Sequence, residues 1–512
     1  MDRRIIPAMQ LDPDICYRAV VARDPRFDGR FFVAVSTTGI YCRPICPART
    51  PHRDHVTFYP TAAAAQEAGY RACLRCRPET APNVGAWRGT SNTVSRALAL
   101  IESGALDADT VEALAGRVGV GGRQLRRLFQ EHLGASPVAV AQTRRILLAK
   151  QLIHETGLTM TEVALAAGFG SVRRFNDIFR RLYRRPPRAL RRRGVARDGS
   201  AIVLTLAYRP PYDWDAIAGF LAARAIPGVE TVTRSLYRRT FANGTIAVSH
   251  EPARCRLRVA ARLDDVGVLP LILPRVRRVF DLDADPEAIA ECLARDPLLA
   301  PLLARRPGLR LPGAWDGFEM AVRAVIGQQI TVAGARSLLG KLVARCGAGV
   351  AVAEDGLSHV FPTPDRLVGK DLAALGMPRA RALAIQSLAQ SALADPALFE
   401  RGAGLEEAVK SLCAVPGIGE WTAHYIAIRA LREPDAFPAS DIGLLRALAS
   451  NGVRPTPRAL AARAEAWRPW RAYAAQHLWA HDAALTPARQ ERTSETHARK
   501  IAIADRNNSA RL

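Results

Sequence analysis

Along this chain the hydrophobic positions change rhythm several times, and each change marks a different architecture. Near the N-terminus two short apolar runs, Phe31-Phe32-Val33-Ala34-Val35 and Val56-Thr57-Phe58-Tyr59, predict strands, and an Ala-rich stretch from Ala62 to Ala68 predicts one helix. Between 90 and 195 the spacing turns helical, with capping signals and Arg-rich faces. Strands return at Ile202-Val203-Leu204-Thr205-Leu206, Thr245-Ile246-Ala247-Val248 and Cys255-Arg256-Leu257-Arg258-Val259, around a helix predicted from Trp214 to Arg224. Beyond 290 helices dominate. Phe318, Val322, Val325 and Ile326 recur at helical spacing after Trp315-Asp316 and predict the buried stripe of a long helix.

The fold class that follows is multidomain and mainly α. A small metal-bound α+β domain is expected at 1–85, a tandem helix-turn-helix bundle at 90–195, an α+β unit at 200–290 and all-α domains at 291–485. The run Arg191-Arg192-Arg193-Gly194 reads as a linker, and the polar stretch 486–512 as a flexible tail.

Composition narrows the function. Of the 512 residues 49% are hydrophobic, enough for ordinary cores, while 72 Lys and Arg against 48 Asp and Glu leave a net charge of +24. Such a surplus points to a polyanion, and double-stranded DNA fits better than a membrane because no basic amphipathic anchor is evident. The first residues carry acids and a proline in place of a long apolar segment, and no apolar run has membrane-spanning length. Nine cysteines, of which Cys16, Cys255, Cys292, Cys346 and Cys413 are scattered, make no disulfide framework. A reducing compartment, the cytoplasm, is expected.

The other four cysteines, Cys42, Cys46, Cys73 and Cys76, form C-x3-C and C-x2-C pairs, the spacing of a tetrathiolate zinc site. Such a site staples a small domain, and its sulfurs, kept as thiolates by the metal, can also remain nucleophilic. Arg43, Arg49, Arg71, Arg75 and Arg77 surround it, able to offset a cluster charge of about −2 or to meet phosphates. His52 and His55 are not needed as ligands. The stretches RDPRFDGRFFVAVSTTGIYCRPICPAR and FYPTAAAAQEAGYRACLRCRPE closely resemble the N-terminal domain of the Ada family. That resemblance implies a Zn²⁺-bound Cys42 that accepts a methyl group from a DNA methylphosphotriester. The transfer would lower the cluster's negative charge by about one unit and so raise its affinity for DNA.

Two helix-turn-helix patterns follow. In the first, Asp109 with Glu112 marks a helix start, Val118-Gly119-Val120 turns, and Arg123, Gln124, Arg126 and Arg127 lie on the second helix. In the other, Thr159 and Glu162 form a capping box, Ala167-Gly168-Phe169 turns, and Ser171, Arg173, Arg174 and Asn176 open the second helix. The segment ALAAGFGSVRRFNDIFRRLYRRPP resembles the DNA-binding domain of the AraC family. This implies an activator that reads an operator and has RNA polymerase as a partner.

In the C-terminal half, Pro416-Gly417-Ile418-Gly419 is a tight turn between helices. It serves either as a plain connection or as a place where backbone N–H groups meet a phosphate. Asp441 opens a helix expected at Ile442 to Ala449, where it is a cap or a carboxylate facing a cleft. Turn and aspartate together match the helix-hairpin-helix DNA glycosylases, and WTAHYIAIRAL with WRPWRAYAAQHLW resembles their AlkA branch. The resemblance implies hydrolysis of the N-glycosidic bond of alkylated bases of the 3-methyladenine class, flipped from the duplex. It gives Asp441 the catalytic position and Trp421, Tyr425 and Trp479 the base pocket. Trp467 and Trp470 are expected in the core.

Departures from these families matter as much. Trp421 occupies the position where lyase-type relatives carry a lysine, which predicts a monofunctional glycosylase. No cysteine follows Cys413, so an iron–sulfur cluster is not expected. Gln329, with Ile330 beside it, takes the place of the leucine that wedges into the duplex. A Pro-Cys-His-Arg motif is missing, so O6-alkylguanine repair is not expected. The rival expectation is a transcription regulator whose glycosylase-like half binds DNA without catalysis.

Overall fold

The computed structural model describes residues 12–82, 92–191, 201–354, 356–400, 402, 404–450 and 453–485. The expected tail at 486–512 and most of the expected linker run, 192–194, lie outside the described residues.

Register explains how the N-terminal domain gathers its cysteines. Its four-stranded sheet runs Val56–Tyr59, Phe32–Val35, Ile40–Cys42, Arg71–Ala72, with Ile40 opposite Arg71 and Tyr41 opposite Ala72 in the parallel pair. Cys42 ends one strand and Cys73 follows the other, so the pairing alone brings them side by side. One sheet face packs Phe31 edge-on to Phe58 at 5.5 Å, and the other packs Phe32 edge-on to Tyr41 at 5.7 Å. The helix Ala62–Glu67 is capped by the Thr61 hydroxyl, which accepts from the Ala64 N–H at 3.0 Å. A helix at Pro13–Ala22, which the sequence reading did not include, adds Cys16, Ala19 and Val20 to the core.

The second domain holds seven helices among the described residues, from Asn92–Glu102 to Val172–Tyr183. Both expected turns form, with Gly119 at φ +76° and Gly168 at φ +82°. One detail differs: Thr110, not Asp109, caps the helix Val111–Arg117, its hydroxyl accepting from the Ala113 N–H at 3.2 Å. Asp109 instead closes the short helix before it.

The 19-residue helix Pro137–Glu155 is the spine of the molecule. Its fully buried Lys150 donates to the Cys73 carbonyl at 2.7 Å and to Glu79 Oε2 at 2.6 Å. Next to it Gln151 donates to the Thr205 carbonyl at 2.8 Å, and one turn on Glu155 accepts from the Thr205 N–H at 3.0 Å. The spine thereby ties the cysteine domain to the third.

That third domain is a five-stranded antiparallel sheet, in the order Ala201–Ala207, Arg256–Leu263, Gly244–Glu251, Leu236–Phe241, Glu230–Val232. The expected helix Trp214–Arg224 packs with it. The strand Leu236–Phe241 escaped the sequence reading because it carries paired arginines, and Arg239 lies buried between Glu230 and Glu319. A charge satisfied inside the core breaks the alternation that would reveal the strand.

Helices then enclose the largest core cluster. The stripe Phe318, Val322, Val325 and Ile326 is buried as expected, but its helix, Gly317–Ile326, has only ten residues and ends at Gly327. A two-stranded hairpin, Ala348–Glu354 with Leu357–Val360, interrupts a half that the sequence reading took as helical throughout. No helix among the described residues is long and apolar enough to cross a membrane.

Candidate functional site

The four Sγ atoms of Cys42, Cys46, Cys73 and Cys76 lie within 4.8 Å of one another. A tetrahedral zinc with bonds of about 2.3 Å sets its sulfurs about 3.8 Å apart, so this donor set fits the metal. The four are not equivalent. Cys73 and Cys76 are 7% and 8% exposed, while Cys42 and Cys46 are half-buried. The Arg75 N–H donates to Cys73 Sγ at 3.3 Å, the Arg43 N–H to Cys76 Sγ at 3.4 Å, and the Ala48 N–H bonds Cys46. A donor on sulfur draws off part of its charge, as it does here at Cys46, Cys73 and Cys76.

Of the five surrounding arginines, four divide into two groups and Arg71 is half-buried. The Arg43 guanidinium binds Asp28 and donates to Thr80 Oγ1 at 2.8 Å, and Arg77 binds Glu79 at 3.1 Å and Glu155 at 2.6 Å. These two hold the fold, which corrects the expectation that all five could face phosphates. Arg49 and Arg75 are exposed. His52 pairs with Asp54 at 3.2 Å and stands apart from the cysteine group, as does His55.

Both second helices of the bundle present their basic faces outward. Arg123, Gln124, Arg126 and Arg127 are exposed on Gly122–Leu133, where Leu125, Phe129 and Leu133 form the buried stripe. Arg126 pairs with Glu112 at 2.6 Å, an exposed pair of small energetic weight that a phosphate can replace. On Val172–Tyr183, Arg173 and Arg174 are exposed, and Asn176 is half-buried. Ser171 is the cap of that helix, its hydroxyl accepting from the Arg174 N–H at 3.2 Å.

The glycosylase-type residues converge on Asp441. It caps the helix Ile442–Ala447, Oδ1 accepting from the Leu444 N–H at 3.0 Å. The two readings of this aspartate merge, because Trp479 Nε1 donates to the same oxygen at 2.9 Å and Trp421 Nε1 donates to Oδ2 at 2.7 Å. Two indoles and a helix N-terminus hold the carboxylate in one orientation. Trp421 stacks on Tyr425 with centroids 5.3 Å apart and planes 6° apart, and Trp479 meets Tyr425 edge-on at 6.1 Å. Trp467 and Trp470 are buried in the core, with Trp467 Nε1 donating to Asp296 at 2.7 Å.

The turn glycines have separate duties. Gly417 sits at φ +90°, and a Cβ there would lie 2.3 Å from the Ala384 Cβ, so it is required by conformation and packing. At Gly419, which caps the helix Glu420–Arg429, an added Cβ would meet nothing within 4 Å, so packing does not require a glycine there. Gln329 is exposed at φ +56° on the loop after Gly317–Ile326. Its neighbour Gln328 pins that loop to the turn, donating to the Gly417 carbonyl at 3.2 Å and to Thr422 Oγ1 at 3.0 Å.

Sequence reasoning missed three residues here. Arg429 lies beneath the aromatic cluster, its guanidinium 5.3 Å from the Tyr425 centroid, 5.3 Å from that of Trp479 and 4.6 Å from that of Phe220. Phe220 and Arg224, which stack at 4.0 Å, come from the helix Trp214–Arg224 of the sheet domain. Only the spacing of Trp421, Tyr425 and Arg429, one helical turn apart each, signalled the first of them.

Family models match along the chain in the same order. The metal binding domain of Ada matches residues 15–79, a helix-turn-helix domain 114–193, the AlkA N-terminal domain 203–316, and the HhH-GPD superfamily base excision DNA repair protein 322–472. A probable bifunctional transcriptional activator/DNA repair enzyme AlkA of Mycobacterium tuberculosis is 45% identical over 482 residues, covering 92% of this chain and 97% of that protein. DNA-3-methyladenine glycosylase 2 of Escherichia coli is 38% identical over 54% of this chain and 96% of its own length. The bifunctional transcriptional activator/DNA repair enzyme Ada of Escherichia coli is 39% identical over 31% of this chain and 43% of its own. On this similarity, which spans nearly the full length of both proteins, the chain belongs to the family of bifunctional transcriptional activator/DNA repair enzymes of the AlkA type.

Proposed function

We propose that this protein repairs alkylated DNA at two chemically separate sites and uses one of them to control transcription. The glycosylase site works at Asp441. As the C1′–N bond of a flipped alkylated base breaks, the bonding pair leaves with the base and positive charge grows on the sugar. The carboxylate, aimed by Trp421 and Trp479, stabilises that charge, and water adds at C1′. Trp421 and Tyr425 supply the stacking surface, Gln329 enters the duplex where the base has left, and Gly419 holds a phosphate with Gly417 shaping the turn. With Trp421 where lyases carry an amine, the reaction ends at base release.

At the N-terminal site Cys42 is the methyl acceptor and Cys46, Cys73 and Cys76 complete the metal's donor set. Bound zinc supplies thiolates at neutral pH. The Cys42 sulfur attacks the methyl carbon of a phosphotriester, the C–O bond breaks, and the phosphate keeps the electrons as a diester anion. One negative charge is thereby lost from the cysteine cluster, and the domain binds DNA more tightly. Arg123, Gln124, Arg126, Arg127, Arg173 and Arg174 then seat on an operator, with Ser171 holding its helix start, and RNA polymerase is the partner of the activated state. The functional units follow the boundaries 1–85, 90–195, 200–290 and 291–485, and the protein works in the cytoplasm.

The observation that carries the repair reading is the Asp441 carboxylate held by two indole N–H groups beside a stacked aromatic pair. Base release from methylated duplex DNA by wild type and by Asp441→Asn tests it. Release by wild type alone is expected; background release by both would leave a regulator with an inactive glycosylase-like half.

A further inference from the structure

Arg429 is 3% exposed, bonds the Tyr425 hydroxyl, and pairs with no carboxylate among the described residues. Nη1 donates to the Pro312 carbonyl at 2.9 Å, Nη2 to Gln476 Oε1 at 3.0 Å, and Nε is buried without a partner. Other buried arginines of this half are held in both ways: Arg239 binds Glu230 and Glu319 and Arg432 binds Asp281, whereas Arg310 donates to backbone carbonyls. An uncompensated guanidinium costs folding energy, and this one stands behind the rings that line the base pocket. Burial lowers Arg429 only to about 10, so the charge remains at neutral pH. The pocket therefore has a fixed polarity, with Arg429 behind Tyr425 and Trp479, Arg224 beside it against Tyr425, and an anion, Asp441, held by Trp421 and Trp479.

We infer that Arg429 is a specificity-determining residue of the glycosylase, extending its range from cationic alkylated bases to neutral ones. The inference rests on the base-excision reading above. When the C1′–N bond breaks, one unit of positive charge passes from base to sugar, whatever charge the base carried at the start. That displacement runs away from Arg429 and toward Asp441, so the cation speeds departure of either kind of base. Binding responds differently. A cationic base is repelled by Arg429 before reaction, whereas a neutral base is not; the residue loses affinity for the first class and gains rate on both. The net selection then favours neutral bases, against the preference that stacking on electron-rich rings alone would impose.

Two substitutions remove this field in different ways. Arg429→Met deletes the charge, and Gln476→Glu keeps the guanidinium and its ring contacts but places a carboxylate against it. Arg429→Lys retains a cation. Single-turnover release of 7-methylguanine, a cationic leaving base, and of hypoxanthine, a neutral one, is measured from otherwise identical duplexes. For both Arg429→Met and Gln476→Glu the maximal rate is expected to fall about tenfold on each lesion. The half-saturating concentration should fall about threefold for the 7-methylguanine duplex and stay level for the hypoxanthine duplex. Arg429→Lys should return within about threefold of wild type. Should Arg429→Met not fold, Gln476→Glu carries the test alone. Wild-type kinetics in Gln476→Glu, or half-saturation rising together for both lesions, would overturn the inference in favour of a packing role. Release of neither base by wild type would instead remove the glycosylase reading, and this inference with it.

Discussion

The cysteine cluster and the aromatic site around Asp441 are the two sites proposed to take alkyl damage off DNA, yet the chain builds them in opposite ways. The cluster draws its four ligands from residues 42–76, and a parallel pairing of two short strands sets two of them side by side. The pocket gathers Phe220, Trp421, Tyr425, Arg429, Asp441 and Trp479 from two domains, with Tyr425 and Trp479 packed against one continuous core. A metal supplies locally the cohesion that the pocket must obtain from packing. The first site should therefore tolerate damage to the second, and the reverse.

Breaking the comparison most completely is Cys42→Ala. Methyl uptake from phosphotriester DNA, read as a mass increase on the 42–76 region, should be lost entirely, while base release stays within about twofold of wild type. The converse is Asp441→Asn, which should lower base release on the order of 10²- to 10³-fold and leave methyl uptake intact.

The next effect sharpens the role of the helix Pro137–Glu155. Glu79 is buried against Lys150, His154 and Arg77. Burial opposes its ionisation, but His154, Lys150 and Arg77 outweigh it and hold the carboxyl at about 2, below its ordinary 4.5. A depressed carboxyl contributes stability that is fully present above pH 4.5 and is lost as pH falls toward 2, about 3 kcal/mol in all. Urea unfolding across that window should show the loss in wild type and a flatter profile in Glu79→Gln. A wild-type profile without slope there would contradict the pairing.

The smallest contrast lies within one turn. Gly417→Ala should cost about 2 kcal/mol, from its positive φ and the collision with Ala384. Gly419→Ala should change stability by less than about 0.5 kcal/mol and act instead on affinity for undamaged duplex DNA. Equal thermal shifts in the two variants would show that both glycines serve packing.

What could be read from sequence follows the same division. Cys42, Cys46, Cys73 and Cys76 were legible because metal ligation demands a spacing, and Thr159 with Glu162 because a capping box does. Trp421, Tyr425 and Asp441 were legible by family likeness, although the indole bonds that orient Asp441 depend on tertiary packing. Arg429 was not, since an arginine in a helix reads as a surface residue until the core closes over it. The strand Leu236–Phe241 was hidden for the same reason, its Arg239 being paired inside the protein. The Asp109 cap was misplaced by one residue because Asp109-Thr110 offers two good caps in succession, and only the backbone of Thr110 meets the helix correctly.

Independence of the two sites is the central claim, and one reaction tests it. Duplex DNA carrying both methylphosphotriesters and 3-methyladenine is incubated with wild type, Cys42→Ala and Asp441→Asn, and the free base and the methylated protein are quantified from the same tube. Wild type should yield both, Cys42→Ala only the base, and Asp441→Asn only the methylated protein. Loss of both products in either variant, or undiminished base release in Asp441→Asn, would contradict the account.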